Sequence, residues 1–243
     1  MMSLFKRKKA GEEANTIPEA MDDITQTLLI PVKDEGEKTM CADAYETSQA
    51  EIASYTSIGT RKSQQDSICF DFGDFCTVCA VCDGMGGHSC GKEASETVCD
   101  AITDFWVKHY DTPDCDSKIK LACKKASNAI NRKSEELNCS EMGTTMVMAS
   151  IEGDKLTVAH VGDSRCYLHR PFEGLLYQTE DHVSLDFGWE VVVRSFFSFR
   201  PEIAVPDIKQ FALEAGDRLL LCSDGVYKSM KPDFLQAWMT EDA

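Results

Sequence analysis

The chain has 243 residues, 43% of them hydrophobic and 27% charged, and a formal net charge of −16. That length holds one large domain with a tail, or two small ones, and can bury a substantial core unaided. The acidic balance argues against a nucleic-acid-binding surface, which would repel phosphates, and no apolar run approaches the ~18 residues of a membrane span.

Residues 1–50 are rich in Glu, Asp, Lys and Thr without a sustained hydrophobic period, and read as a disordered or loosely docked extension. Its basic tip (Lys6, Arg7, Lys8, Lys9) leads into no apolar stretch or small-residue cleavage site, so it does not read as a secretory signal. The folded part is expected over residues 51–243. Ile52 to Ile58 forms a strand, and a loop follows at Gly59 to Ser63. Ser67 to Phe72 and Phe75 to Cys82 read as a hairpin turning at Gly73-Asp74. A Gly-rich loop runs from Asp83 to His88. Lys92 to His109 has helical apolar spacing through Ala94, Val98, Ile102, Phe105 and Trp106. Ser117 to Leu137 is a second helix with Ile119, Ala122, Ala126, Ile130 and Leu137 inward. Strands return at Thr144 to Ile151, Lys155 to Val161, Arg165 to His169, Asp207 to Leu213 and Arg218 to Cys222, and Pro232 to Met239 opens a last helix. Strands interrupted by a helix pair indicate α+β with largely antiparallel sheets.

The twelve cysteines, with no secretory signal, read as reduced thiols of a cytoplasmic protein. Cys76, Cys79 and Cys82 have the spacing of a metal motif. On a strand, however, a step of three sends successive thiols to opposite faces, and no second Cys or His pair completes a site. Buried apolar-acting thiols are the better reading.

Three aspartates carry more information. Asp83 ends the strand Val78 to Cys82, Asp163 follows Leu156 to Gly162, and Asp224 follows Leu219 to Ser223. Carboxylates delivered by buried strands to a sheet end suit divalent cations such as magnesium or manganese. A glycine after Asp83 and after Asp224 lets the backbone approach closely. One Asp-Gly pair alone would read as a turn.

In order along the chain stand Gly59-Thr-Arg-Lys-Ser-Gln-Gln-Asp66, Val81-Cys-Asp-Gly-Met-Gly-Gly-His88 continuing to Ser95, Met142-Gly-Thr-Thr145, Val161-Gly-Asp-Ser-Arg-Cys-Tyr167, Thr179-Glu-Asp-His182 and Gly216 to Gly225. This series resembles the metal-dependent protein phosphatases of the 2C type in their bacterial form. The resemblance implies a four-layer α-β-β-α sandwich of two mostly antiparallel sheets flanked by helices. It implies hydrolysis of phosphoserine and phosphothreonine in proteins by metal-activated water, with two Mn2+ or Mg2+ ions and, in bacterial members, a third. Residue by residue, Asp83 would bridge two ions and the Gly84 carbonyl would bind one of them. Asp224 would ligate the other ion, Asp66 would hold waters of the centre, and Asp163 would serve the third ion. Arg61 would grip the substrate phosphate, since a guanidinium binds two phosphate oxygens at once. Phosphorylated proteins and a cognate Ser/Thr kinase are the implied partners, in cytoplasmic signalling.

The pattern departs from the family in three places. Gln64 replaces the usual Asn. The stretch from His182 to Pro201 is short for the family's flap. The closing Asp-Asn pair of the family finds no match, so the domain is expected to be truncated at its C-terminal side and its ligand set one carboxylate short. The N-terminal segment is then a candidate for covering the sheet edge left open. The alternative reading is a catalytically weak or inactive pseudophosphatase that binds a phosphoprotein or regulator. His88 is expected to shape the Gly-rich loop, and His160 and His182 to be structural.

Overall fold

The computed structural model describes residues 2–7, 41–46, 50–58, 61–72, 76–85, 90–109, 112–113, 116–231, 237 and 239. The strands are β1 (Met2–Arg7), β2 (Cys41–Glu46), β3 (Ala50–Thr56), β4 (Asp66–Phe72) and β5 (Thr77–Met85), followed by helices α1 (Gly91–His109) and α2 (Asp116–Leu137). Next come β6 (Gly143–Thr144), β7 (Met146–Glu152), β8 (Lys155–Val161), β9 (Arg165–Arg170), β10 (Gly174–Gln178), β11 (Val183–Asp186), β12 (Trp189–Val192) and β13 (Phe196–Phe197). Strands β14 (Asp207–Ala212) and β15 (Arg218–Cys222) and the short helix α3 (Asp224–Tyr227) close the described series.

One antiparallel sheet has the order β10-β9-β15-β1-β3-β2, and the other runs β13-β6-β5-β7-β8-β14 with β4 also paired to β5. Alternation along each central strand assigns side chains to layers. On β5, Val78, Ala80 and Cys82 face the helices, while Cys79 and Val81 face the opposite sheet. Both faces are therefore buried, which is why this strand reads as a continuous apolar run. Burying a side chain such as Val81, 0% exposed, is worth ~1.5–3 kcal/mol. On β15, Leu219 and Leu221 point into the space between the sheets, and Leu220 and Cys222 point away from it.

Helices α1 and α2 cover the outer face of the seven-stranded sheet. The outer face of the six-stranded sheet is met by Val226 and Tyr227 of α3, by Met230 and by Met239. The α+β sandwich of two antiparallel sheets is therefore present. Among the described residues its fourth layer consists of α3 and the helical residues 237 and 239. Most of the expected last helix lies outside the described residues.

Several expectations need adjustment. Two strands fall inside the stretch read as a disordered or loosely docked extension. Strand β1 lies between β15 and β3, with Leu4 opposite both Leu220 and Ala53, and β2 pairs with β3. A strand needs backbone partners more than a hydrophobic period of its own, and β15 and β3 supply them. The rest of residues 1–49 lies outside the described residues. Leu137, expected inward, is 43% exposed, because it ends α2 past its apolar stripe.

Cys90 and Cys139 form a disulfide across 49 residues of sequence, where free thiols were expected. It ties the start of α1 to the chain just after α2, a proximity that only the packing of the two helices creates. Cys76, Cys79 and Cys82 are buried, as expected. They alternate between the helix side and the inter-sheet side.

Candidate metal and phosphate site

The expected site residues gather where β4, β5 and β15 end. Asp66 opens β4 and lies directly opposite Asp83 of β5 in the antiparallel register. Ser223, which ends the run from β15, donates its hydroxyl to Asp66 Oδ2 at 2.9 Å. It occupies the N-cap position of α3 without capping it through its side chain. Its hydroxyl instead links the β15 end to the β4 start, across 157 residues. Asp224 follows as the first residue of α3.

The Asp83 backbone is clamped from the facing strand. Thr144 Oγ1 and the Thr145 N–H both donate to the Asp83 carbonyl at 2.9 Å, and the Asp83 N–H donates to Thr145 Oγ1 at 3.1 Å. This gives the Met142 to Thr145 motif a role the sequence did not state. Thr145 Oγ1 also shares a hydrogen bond of 2.7 Å with Ser164 Oγ. A Cβ on Gly162, at φ +112°, would lie 2.6 Å from Thr145 Cβ, so the turn before Asp163 requires glycine.

Gly84 lies at a three-way backbone approach. Its N–H donates to the Gln65 carbonyl at 3.1 Å. A Cβ there would meet Gly91 O at 2.1 Å and Gln65 O at 2.5 Å. The Asp-Gly step thus packs the end of β5 against the start of α1 and the residue before Asp66. Ser95 of α1 completes the junction by donating to the Gln65 carbonyl at 2.7 Å.

Electrostatically the site is a cluster of carboxylates in short supply of cations. Burial, then the charges of Asp66, Asp224 and Asp163, push Asp83 up to about 9. Burial also raises Asp224, but the Lys228 ammonium outweighs it and brings that carboxyl below its ordinary value. A hydrogen bond between Asp83 and Asp224 adds to the rise at Asp83 and to the fall at Asp224. Asp163 is raised by burial and by Asp224. Arg61 is exposed on the neighbouring bend and close enough to favour the charge on Asp224. A buried group of carboxylates whose charges crowd one another fits divalent cations, whose charge would stand in for a bound proton. Oxygen-only ligands of this kind favour hard ions.

The other sequence motifs support this cluster rather than join it. Arg165 makes a bidentate pair with Asp181 at 2.8 and 2.7 Å, and its guanidinium stacks 3.6 Å from the centre of the Tyr227 ring. Tyr227 in turn donates to the Asp163 carbonyl at 3.0 Å. His182 accepts from the Gly162 N–H through Nδ1 at 3.1 Å. Its Nε2 therefore carries a proton toward Asp207 Oδ2, 3.1 Å away.

Among the described residues, His160, His182 and Asp207 form the only group with three ligand atoms within 4.8 Å of one another, so the acidic cluster is more open. The two imidazoles are stacked at 4.4 Å, however, and Arg194 holds Asp207 at 2.7 Å. A guanidinium already fills the cation position, and this group is a structural network, in keeping with the expectation for both histidines. The Gly-rich loop bearing His88 lies outside the described residues. Sequence reasoning missed Ser223, Tyr227 and Lys228. All three sit within four residues of Asp224, which was the available signal.

The sequence profile described as Protein phosphatase 2C matches residues 55–241. The chain belongs to the protein phosphatase 2C family. The serine/threonine protein phosphatase PstP of Mycobacterium tuberculosis is 32% identical over 165 residues, which are 60% of this chain and 31% of PstP. The chain thus spans about a third of that relative. Protein phosphatase PhpP of Streptococcus pneumoniae is 30% identical over 186 residues, 68% of this chain and 74% of PhpP. Among solved structures, the PstP catalytic domain in complex with two manganese ions superposes with a TM-score of 0.60 at 26% identity, covering 82% of this chain and 83% of that one. The Streptococcus agalactiae serine/threonine phosphatase superposes with a TM-score of 0.63, covering 85% and 87% at 22% identity, a likeness of fold. No described helix is long and apolar enough to cross a membrane.

Proposed function

We propose that the chain is a metal-dependent protein-serine/threonine phosphatase that uses Mn2+ or Mg2+. The observation that carries this reading is the opposition of Asp66 and Asp83 on paired strands, with Asp224 bonded to Asp83 and the whole cluster overloaded with negative charge. Asp66, Asp83, the Gly84 carbonyl and Asp224 would hold two divalent cations, which when bound supply an activated water and neutralise charge developing on phosphate. The chain's own part is placement. The Thr144–Thr145 clamp fixes the Asp83 backbone, and Ser223 orients Asp66. Arg61, exposed at the rim, offers its donor fork to two phosphate oxygens and holds the phosphoryl group over the cluster. Overall, the phosphorus–oxygen bond breaks, the water oxygen joins phosphorus, and the serine or threonine hydroxyl leaves with a proton.

The net charge of −16 disfavours polyanionic nucleic acids; the substrate class of this reading is phosphorylated proteins, with a Ser/Thr kinase as the opposing enzyme in cytoplasmic signalling. The named activity of PstP and PhpP supports this reading. A second reading, a binding module with little turnover, draws on the Lys228–Asp224 pair of 2.9 Å, which engages one expected ligand. Hydrolysis of p-nitrophenyl phosphate with and without manganese separates the two. The phosphatase reading expects a manganese-dependent rate that Asp83→Asn abolishes, and equal background rates for both proteins would refute it.

A further inference from the structure

We propose that Lys228 is a built-in cation of the acidic cluster, which holds the position between Asp163 and Asp224 against a divalent ion. The inference rests on the metal-centre reading above. Lys228 Nζ lies 2.9 Å from Asp224 Oδ2 and 3.6 Å from Asp163 Oδ2. It therefore occupies the space that any cation shared by these two carboxylates must enter. The placement follows from the chain. Lys228 stands four residues after Asp224 and closes α3 with a backbone bond to the Asp224 carbonyl at 3.0 Å, so one helical turn brings its side chain back over that carboxylate.

The same turn is anchored to the Asp163 loop by the Tyr227 hydroxyl, and Tyr227 is held by the stacked Arg165. The ammonium is thus presented to Asp163 by a braced element. Asp163 is no ordinary surface partner, since its side chain is only 10% exposed. An exposed ion pair would contribute little, but a fixed positive charge a few ångströms from a second cation opposes its binding far more strongly in a partly buried site. The cluster is in this way divided: Asp66, Asp83 and the other oxygen of Asp224 face incoming ions, and Asp163 and Asp224 Oδ2 are met from within the chain by Lys228.

The test is a count of bound manganese, from the loss of the free Mn2+ signal in electron paramagnetic resonance titrations. Full-length wild type, Lys228→Met, Lys228→Arg and the double variant Lys228→Met/Asp163→Asn are compared, with thermal melts to confirm folding. Lys228→Met is expected to bind one more Mn2+ per chain than wild type. Lys228→Arg, which keeps the charge, should match wild type, and the double variant should lose the added ion. An equal or smaller count in Lys228→Met than in wild type overturns the proposal. If that equal count is above zero, only the role of Lys228 falls. If it is zero, the metal-centre reading falls with it.

Discussion

Replacing Gly84 with alanine tests the junction that positions Asp83. The added Cβ would lie 2.1 Å from Gly91 O, 2.4 Å from Gly91 C and 2.5 Å from Gln65 O. All three are backbone atoms, so no side-chain rotation relieves the overlap. The end of β5 must move from the start of α1 and from Gln65 by about an ångström, which costs ~1–3 kcal/mol as overpacking. The same movement weakens the Gly84 N–H bond to Gln65, worth ~1 kcal/mol. Together these give ~2–4 kcal/mol, or a fall in Tm on the order of 5–15 °C for a domain of this size. Gly153→Asn is the control. That residue has a positive φ, +62°, unlike Gly84, and a Cβ there meets nothing within 4 Å; Asn tolerates the conformation, so its change should stay within ~1 kcal/mol. Urea unfolding of both variants decides the matter. If Gly84→Ala is as stable as Gly153→Asn, the tight backbone approach is not what holds the Asp83 strand end.

Three further outcomes follow from the geometry. Because Asp83 is pushed up to about 9 without metal, the metal-free chain carries its proton at neutral pH. Manganese uptake should therefore release about one proton and tighten as pH rises from 7 toward 9; calorimetry in buffers of different ionisation enthalpy reads this, and a buffer-independent heat would contradict it. The Arg165–Asp181 pair is bidentate and only 23% and 18% exposed. A double-mutant cycle in urea should give a coupling of ~1–3 kcal/mol, and a value near zero would remove the pair from the account. Deleting residues 1–7 takes away the strand between β15 and β3 and exposes two strand edges; a lower Tm and faster hydrogen exchange in β15 are expected, and unchanged exchange there would contradict this placement of β1.

Much of the fold was legible because its central elements satisfy two signals at once. The helix Gly91–His109 shows its inward stripe directly, and all five residues named for it are buried. The strand through Val78 to Cys82 announced itself as an apolar run because both its faces are covered. What stayed hidden depends on partners far away in sequence. Strand β1 has no hydrophobic period to betray it and exists through β15 and β3. The Cys90–Cys139 pairing depends on how two helices dock. The hairpin of β11 and β12 pairs Leu185 with Glu190 and Asp186 with Trp189, so neither face alternates cleanly, and Leu185, Phe187 and Trp189 are all exposed. In the site, the Asp residues at strand ends were readable one by one. Ser223, Thr145 and Lys228 were not, since a hydroxyl or an ammonium gains its role only when the fold delivers a carboxylate or a backbone group to it.

A phosphatase metal centre built on the carboxylates around Asp83 makes turnover depend on both the ion and that residue. Phosphate release from a phosphothreonine peptide, measured across a manganese titration for wild type and Asp83→Asn, tests it most directly. Turnover is expected to rise with manganese in the wild type, to disappear with chelator and to be absent from the variant. Turnover that ignores manganese, or that Asp83→Asn shares, would contradict it.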